Sequence, residues 1–135
     1  MINKVDHIAI AVSDLDSALK TLKEAFGVEA NHIEEVPSQK VKVGFIQLGD
    51  TRLELVQPTS EDSSTAKFIA TRGEGLHHIA LGTGDVAACL KQAASAGARL
   101  IDAEPRPGAH GTKVAFVHPK STFGTLIELV EPEKH

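Results

Sequence analysis

The chain repeats itself, and the repeat constrains the fold more than any other feature. An offset of 71 positions takes His7-Ile8-Ala9 onto His78-Ile79-Ala80, Asp14 onto Asp85, Leu19 onto Leu90 and Val43-Gly44-Phe45-Ile46 onto Val114-Ala115-Phe116-Val117. Further on, Leu53-Glu54-Leu55-Val56-Gln57-Pro58 matches Ile127-Glu128-Leu129-Val130-Glu131-Pro132 at an offset of 74, so the second copy carries three extra residues between its last two strands. Two copies are too few for a solenoid, which leaves two modules sharing one core.

Within the first copy the elements are readable. A strand over Val5 to Val12 is followed by Leu15, Ala18, Leu19, Leu22, Ala25 and Phe26 at helical spacing, with Ser13 and Asp16 as a capping-box-like start and Gly27 as the stop. Strands are expected over Asn31 to Val36, Val41 to Leu48 and Thr51 to Gln57, the last two joined by a tight Gly49-Asp50 turn. The second copy reads likewise: a strand over Leu76 to Gly82, a helix over Asp85 to Ala96 stopped by Gly97, then strands near Arg99 to Asp102, Thr112 to Val117 and Thr125 to Val130. Glu61 to Thr71 reads as a short linking helix. The expected fold is α+β: a single domain of two tandem βαβββ modules, about residues 1–60 and 74–135, whose sheets form one cup.

Composition narrows the function classes. At 135 residues, 41% hydrophobic and 24% charged, the chain is one ordinary domain able to bury a core. A net charge of −4 with no basic stripe argues against nucleic acid as a partner. Cys89, the single cysteine, excludes an internal disulfide framework and fits a reducing compartment. Met1 to Val12 lacks the basic start and apolar run of a signal peptide, and no stretch is long enough to span a bilayer. A cytoplasmic protein without a membrane partner is the expectation.

Strand alternation assigns each histidine a face. His7 shares one with Ala9 and Ala11, opposite Ile8, Ile10 and Val12; His78 shares one with Ala80 and Gly82, opposite Ile79 and Leu81. Small side chains on the histidine faces suggest the border of a ligand cavity. In the last strand of each copy, Glu54 lies with Arg52 and Val56, and Glu128 with Leu126 and Val130. A lone strand histidine is usually packed or partly exposed, and a lone strand glutamate usually solvated. Recurrence of His7, Glu54, His78 and Glu128 by duplication reverses that reading: one imidazole and one carboxylate per module form a mixed N/O ligand set for one divalent metal ion. His77 falls on the wrong parity and reads as structural, and Cys89 as core. His32, His110, His118 and the chain-ending His135 have weaker cases.

At these residues the chain resembles the vicinal oxygen chelate superfamily (the glyoxalase and bleomycin-resistance-like proteins), whose paired βαβββ modules cup a metal chelated by two neighbouring substrate oxygens. Within it, DHIAIAV, LGDTRLELVQP, DSSTAKFIATRGEGLHHIAL, GAHGTKVAFVHPK and GTLIELVEP are similar to the methylmalonyl-CoA epimerases, over essentially the whole chain. The resemblance implies metal ligation by His7, Glu54, His78 and Glu128, with cobalt, manganese, nickel, iron or zinc as the ion. Some members have Gln in place of Glu54. It implies an isomerase that moves the C2 proton of methylmalonyl-CoA through a metal-stabilised enolate, with Glu128 as one base as well as a ligand. Some members carry a second glutamate where this chain reads Val41, Lys42 and Val43. The CoA portion is anionic, and Lys113, Lys120 and Arg106 are candidate phosphate contacts. A homodimer would be ordinary.

Other chemistries share this fold. A glyoxalase I-type enzyme would act on a hemithioacetal, and a ring-cleaving dioxygenase would need redox-active iron with one carboxylate fewer. A non-enzymatic relative would sequester a drug between the modules. Retention of all four ligand positions argues against mere sequestration, as does the absence of Trp and Tyr for stacking a planar drug.

Overall fold

The computed structural model describes residues 1–133, so His135 lies outside the described residues. The chain divides into two compact units, residues 7–77 and residues 1–6 together with 78 onward. Each holds a βαβββ module.

The unit of residues 7–77 contains β1 (Ile2–Ala11, whose first residues group with the other unit), α1 (Leu15–Phe26), β2 (His32–Val36), β3 (Val41–Leu48), β4 (Thr51–Pro58) and α2 (Ser64–Arg72). Its strands run in the order β2-β3-β4-β1, with β3 antiparallel to β2 and β4, and β4 parallel to β1. Helix α1 packs Leu15, Ala18, Leu19 and Leu22 onto Ile10, Val12, Leu53 and Leu55, the face that the alternation assigns to packing. The helix comes so close at Gly44 that a β-carbon there would stand 3.1 Å from Leu15 Cδ1, which explains a glycine inside a central strand. The Gly49-Asp50 turn is present, with Gly49 at φ 62°.

The second unit contains β5 (Gly75–Thr83), α3 (Val86–Ser95), β6 (Arg106–Pro107), β7 (Lys113–Val117) and β8 (Ile127–Glu131), in the order β5-β8-β7-β6. Leu81, Cys89, Leu100 and Ile127 pack around Val86, Leu90, Ala115, Val117 and Leu129. Cys89 is therefore a core-edge residue, as expected, and its Sγ lies 3.2 Å from Thr83 Oγ1. No helix among the described residues is long and apolar enough to cross a membrane.

Among the boundaries that differ from expectation, three have a clear local reason. The cap of α1 is Asp14 rather than Ser13: its carboxylate accepts from Ser17 N at 3.1 Å, as Asp85 accepts from Ala88 N at 3.0 Å to cap α3. Linker helix α2 starts at Ser64 because Ser63 caps it, accepting from Ala66 N at 3.0 Å. The strand expected over Arg99 to Asp102 reduces to one bridge, Leu100 to Val117. There the Asp102 carboxylate takes the Phe116 amide at 2.8 Å in place of a ladder carbonyl, and the short β6 pairs with β7 further on.

One device lies outside the pattern reading. Gln57 Oε1 at the end of β4 accepts from Leu15 N, the first residue of α1, at 2.7 Å. Its repeat equivalent Glu131 accepts from Val86 N, the first residue of α3, at 2.9 Å. Each module thus ties its helix N-terminus to its last strand and satisfies an amide that has no partner inside the helix.

Candidate active site

The parallel register of β1 and β4 sets His7 beside Arg52 and Ala9 beside Glu54. Alternation then places His7, Arg52 and Glu54 on one face. His7 Nδ1 lies 3.3 Å from Glu54 Oε2, and the two residues are only 7% and 8% exposed. In the second unit Ala80 stands beside Glu128 in the same register, and His78 Nε2 lies 3.2 Å from Glu128 Oε1. The phenylalanines match too, Phe45 opposite Glu54 and Phe116 opposite Glu128. Phe116 meets the His78 ring edge-on at 5.6 Å. The residues singled out by the repeat therefore come together as two histidine–glutamate pairs, one in each unit.

A buried carboxylate is expensive unless a partner or an ion takes its charge. Here each sits against an imidazole nitrogen, the mixed N/O donor chemistry that divalent first-row metals accept. The donors present fit such an ion.

The first pair has a third member that the reading by repeats missed. Arg52 is a third exposed, and its Nε and Nη2 each donate to Glu54 Oε2 at 3.3 Å, while Nη2 stands 3.5 Å from His7 Nδ1. Its place two residues before Glu54 on the same strand face was the available signal. A search for recurring residues passes over it, because the equivalent position in the second copy is Leu126.

The faces lined by small residues are closed rather than open. Ala9, Ala11 and Ala80 have no exposed surface. Ala9 packs with Val41, Val43, Phe45 and Val56, and Ala80 with Val114 and Val130. At Gly82 a β-carbon would stand 3.1 Å from Asn3 Oδ1 and from Lys4 Cγ, so the space its missing side chain leaves is taken by the start of β1. Within each unit, among the described residues, these small side chains admit neighbouring chain.

The cationic candidates are spread out. Lys113 and Lys120 are exposed, on β7 and in the loop after it. Arg106 already has partners: its Nε lies 3.4 Å from Asp102 Oδ2, and its guanidinium carbon stands 5.3 Å from the centre of the Phe116 ring. His118 accepts from Lys120 N at 3.1 Å. Desolvation, then the charges of Arg99 and Lys120, hold its imidazole below the usual range, which keeps that accepting nitrogen bare. His77 stacks at a tilt on Phe68 of α2, 4.9 Å between ring centres, the structural role that parity assigned. In β3, Val43 is buried in the Ala9 cluster, and Lys42 points the other way by alternation.

Comparison with known proteins places these features in a family. Residues 6–116 match the Glyoxalase/Bleomycin resistance protein/Dioxygenase superfamily. An ethylmalonyl-CoA/methylmalonyl-CoA epimerase of Cereibacter sphaeroides is 39% identical over 131 residues, 96% of this chain and 98% of that protein. A serine-to-threonine variant of Streptomyces coelicolor methylmalonyl-CoA epimerase, solved in complex with 2-nitronate-propionyl-CoA, superposes with a TM-score of 0.92 at 38% identity, covering 98% of this chain and 96% of that one. A methylmalonyl-CoA epimerase solved with methylmalonyl-CoA and NH4+ gives the same TM-score of 0.92, identity of 38% and coverage of 98% and 96%. With its duplicated βαβββ module, its paired histidines and glutamates, and full-length similarity to these enzymes, the chain belongs to the glyoxalase/bleomycin-resistance/dioxygenase superfamily and, within it, to the methylmalonyl-CoA epimerases.

Proposed function

We propose that this protein is an epimerase that interconverts the C2 stereoisomers of methylmalonyl-CoA, with His7, Glu54, His78 and Glu128 holding one divalent ion. The observation that carries this is the recurrence of a histidine–glutamate pair, its carboxylate buried, in both units of a chain similar from end to end to such enzymes. The ion, when bound, supplies a Lewis acid for the negative charge that loss of the C2 proton leaves on the substrate oxygens.

The chain's own residues carry the rest. Glu128, 7% exposed and beside His78, is the base on one face of the substrate. Burial limits water around it and strengthens its electrostatic interactions with a bound substrate. Val43 offers no carboxylate for the other face, and Lys42 is turned away, so that proton is carried by water or by a residue elsewhere on the site. Lys113 and Lys120, exposed, and Arg106, held by Asp102 and Phe116, supply positive charge for the CoA phosphates. The native ion is one of cobalt, manganese, nickel, iron or zinc, and the working form is a cytoplasmic homodimer.

The test is isotope entry. In deuterated buffer with metal, the protein should place deuterium at C2 of methylmalonyl-CoA with no other change in mass, and leave a methylglyoxal–glutathione hemithioacetal untouched. Turnover of the adduct with inert methylmalonyl-CoA would make it a glyoxalase-type enzyme instead.

A further inference from the structure

The duplication is broken at one position that touches a metal donor. Alignment of the last strands puts Leu126 where the first module has Arg52. Leucine cannot neutralise a carboxylate; arginine always can.

Arg52 contacts the donor atoms themselves. Its Nη2 lies 3.3 Å from Glu54 Oε2 and 3.5 Å from His7 Nδ1, and those two atoms are 3.3 Å from each other. Guanidinium nitrogens only donate, and Nη2 stands against both the His7 ring and the Glu54 carboxylate. Arg52 therefore sets its positive charge directly against two residues that would hold a metal ion. At 3.3–3.5 Å the guanidinium is a loose substitute for an ion that would bind near 2.0–2.2 Å. It is also a third exposed, and so has an outward path.

We propose that Arg52 is a built-in counter-cation of the His7–Glu54 pair: it holds the pair in place while the site is empty and must withdraw for a divalent ion to load, so it lowers the site's metal affinity. This rests on the reading of His7 and Glu54 as metal ligands. Two charges of the same sign cannot share these donors at low cost, since a guanidinium a few ångströms from a doubly charged ion repels it strongly in a partly buried site. With no metal present, removal of Arg52 leaves the 8%-exposed Glu54 short of a positive neighbour, so the empty protein should become less stable as its affinity rises. Opposite movement of these two quantities separates a counter-cation from an arginine that merely props the strand.

The experiment is titration calorimetry of the metal-stripped full chain with cobalt or manganese ion, with thermal unfolding of the same samples. Arg52→Met should bind the ion at least about tenfold more tightly than wild type. Its metal-free form should melt lower and regain the difference when loaded. Arg52→Lys, which restores a cation on a shorter reach, should return affinity to within about threefold of wild type. Unchanged or weaker binding by a folded Arg52→Met protein overturns the inference while leaving the metal site standing. Binding of no ion by either protein overturns the metal reading and this inference together.

Discussion

Two copies of one module have kept the same histidine–glutamate pair and surrounded it differently. In the first, His7 and Glu54 share their contact with Arg52. In the second, His78 and Glu128 lie beside Phe116, with leucine at the arginine's position. The difference teaches how a duplicated site divides its labour. A guanidinium on a carboxylate occupies oxygen lone pairs that a substrate proton would need. In the second module leucine stands at that place and its strand supplies no such cation, which suits Glu128 to the proton transfer proposed for it.

The sharpest way to break this comparison is to neutralise each glutamate in turn. Glu128→Gln keeps nearly the same shape but cannot accept the proton, and at saturating metal it should lower turnover at least about a hundredfold. Glu54→Gln removes a charge but no base, and should lower turnover by less than about tenfold. Turnover of both variants, with metal content measured alongside, decides the matter. Near-wild-type activity of Glu128→Gln would mean that the base lies elsewhere, and equal losses would mean that the modules do not divide the work.

Metal content sharpens the same contrast at the next level. The purified protein should hold about one divalent ion per chain, and His78→Ala should lose most of it while remaining folded. Elemental analysis reading the same metal in wild type and His78→Ala would remove His78 from the ligand set.

How legible all this was in the sequence depends on what duplication records. Repetition exposes whatever both copies kept, so the βαβββ order, the strand faces and both histidine–glutamate pairs could be read from registers at 71 and 74. It even contained the correct helix cap, since Asp14 matches Asp85, although a local capping-box pattern at Ser13 competed with it. Repetition hides whatever one copy changed. Arg52 has no counterpart and was passed over; Asp102 takes an amide that the ladder reading gave to a strand. The small residues misled for another reason: alternation tells which face Ala9 and Gly82 occupy, but not whether solvent or another segment of chain fills that face.

The finest test of the comparison concerns the helix tethers, where both modules kept the bond and changed its chemistry. Gln57 accepts the Leu15 amide as a neutral group in a half-buried setting, whereas Glu131, 5% exposed, accepts the buried Val86 amide with a carboxylate. A carboxylate at a helix N-terminus gains from the helix dipole as well as from the hydrogen bond, and in return gives up hydration. Glu131→Ala strands a buried donor and should cost about 1–3 kcal/mol. Gln57→Ala removes a neutral acceptor from a part-buried hydrogen bond, and should cost less than about 1 kcal/mol. Glu131→Gln copies the first module's solution into the second: the acceptor oxygen stays and only the charge goes, so the loss should be within about 1 kcal/mol, the usual size of a charge–dipole term. Urea unfolding of the three variants ranks them. If Glu131→Ala costs no more than Gln57→Ala, the buried tether is not what fixes α3 to its strand; if Glu131→Gln costs as much as Glu131→Ala, the charge rather than the hydrogen bond does the holding.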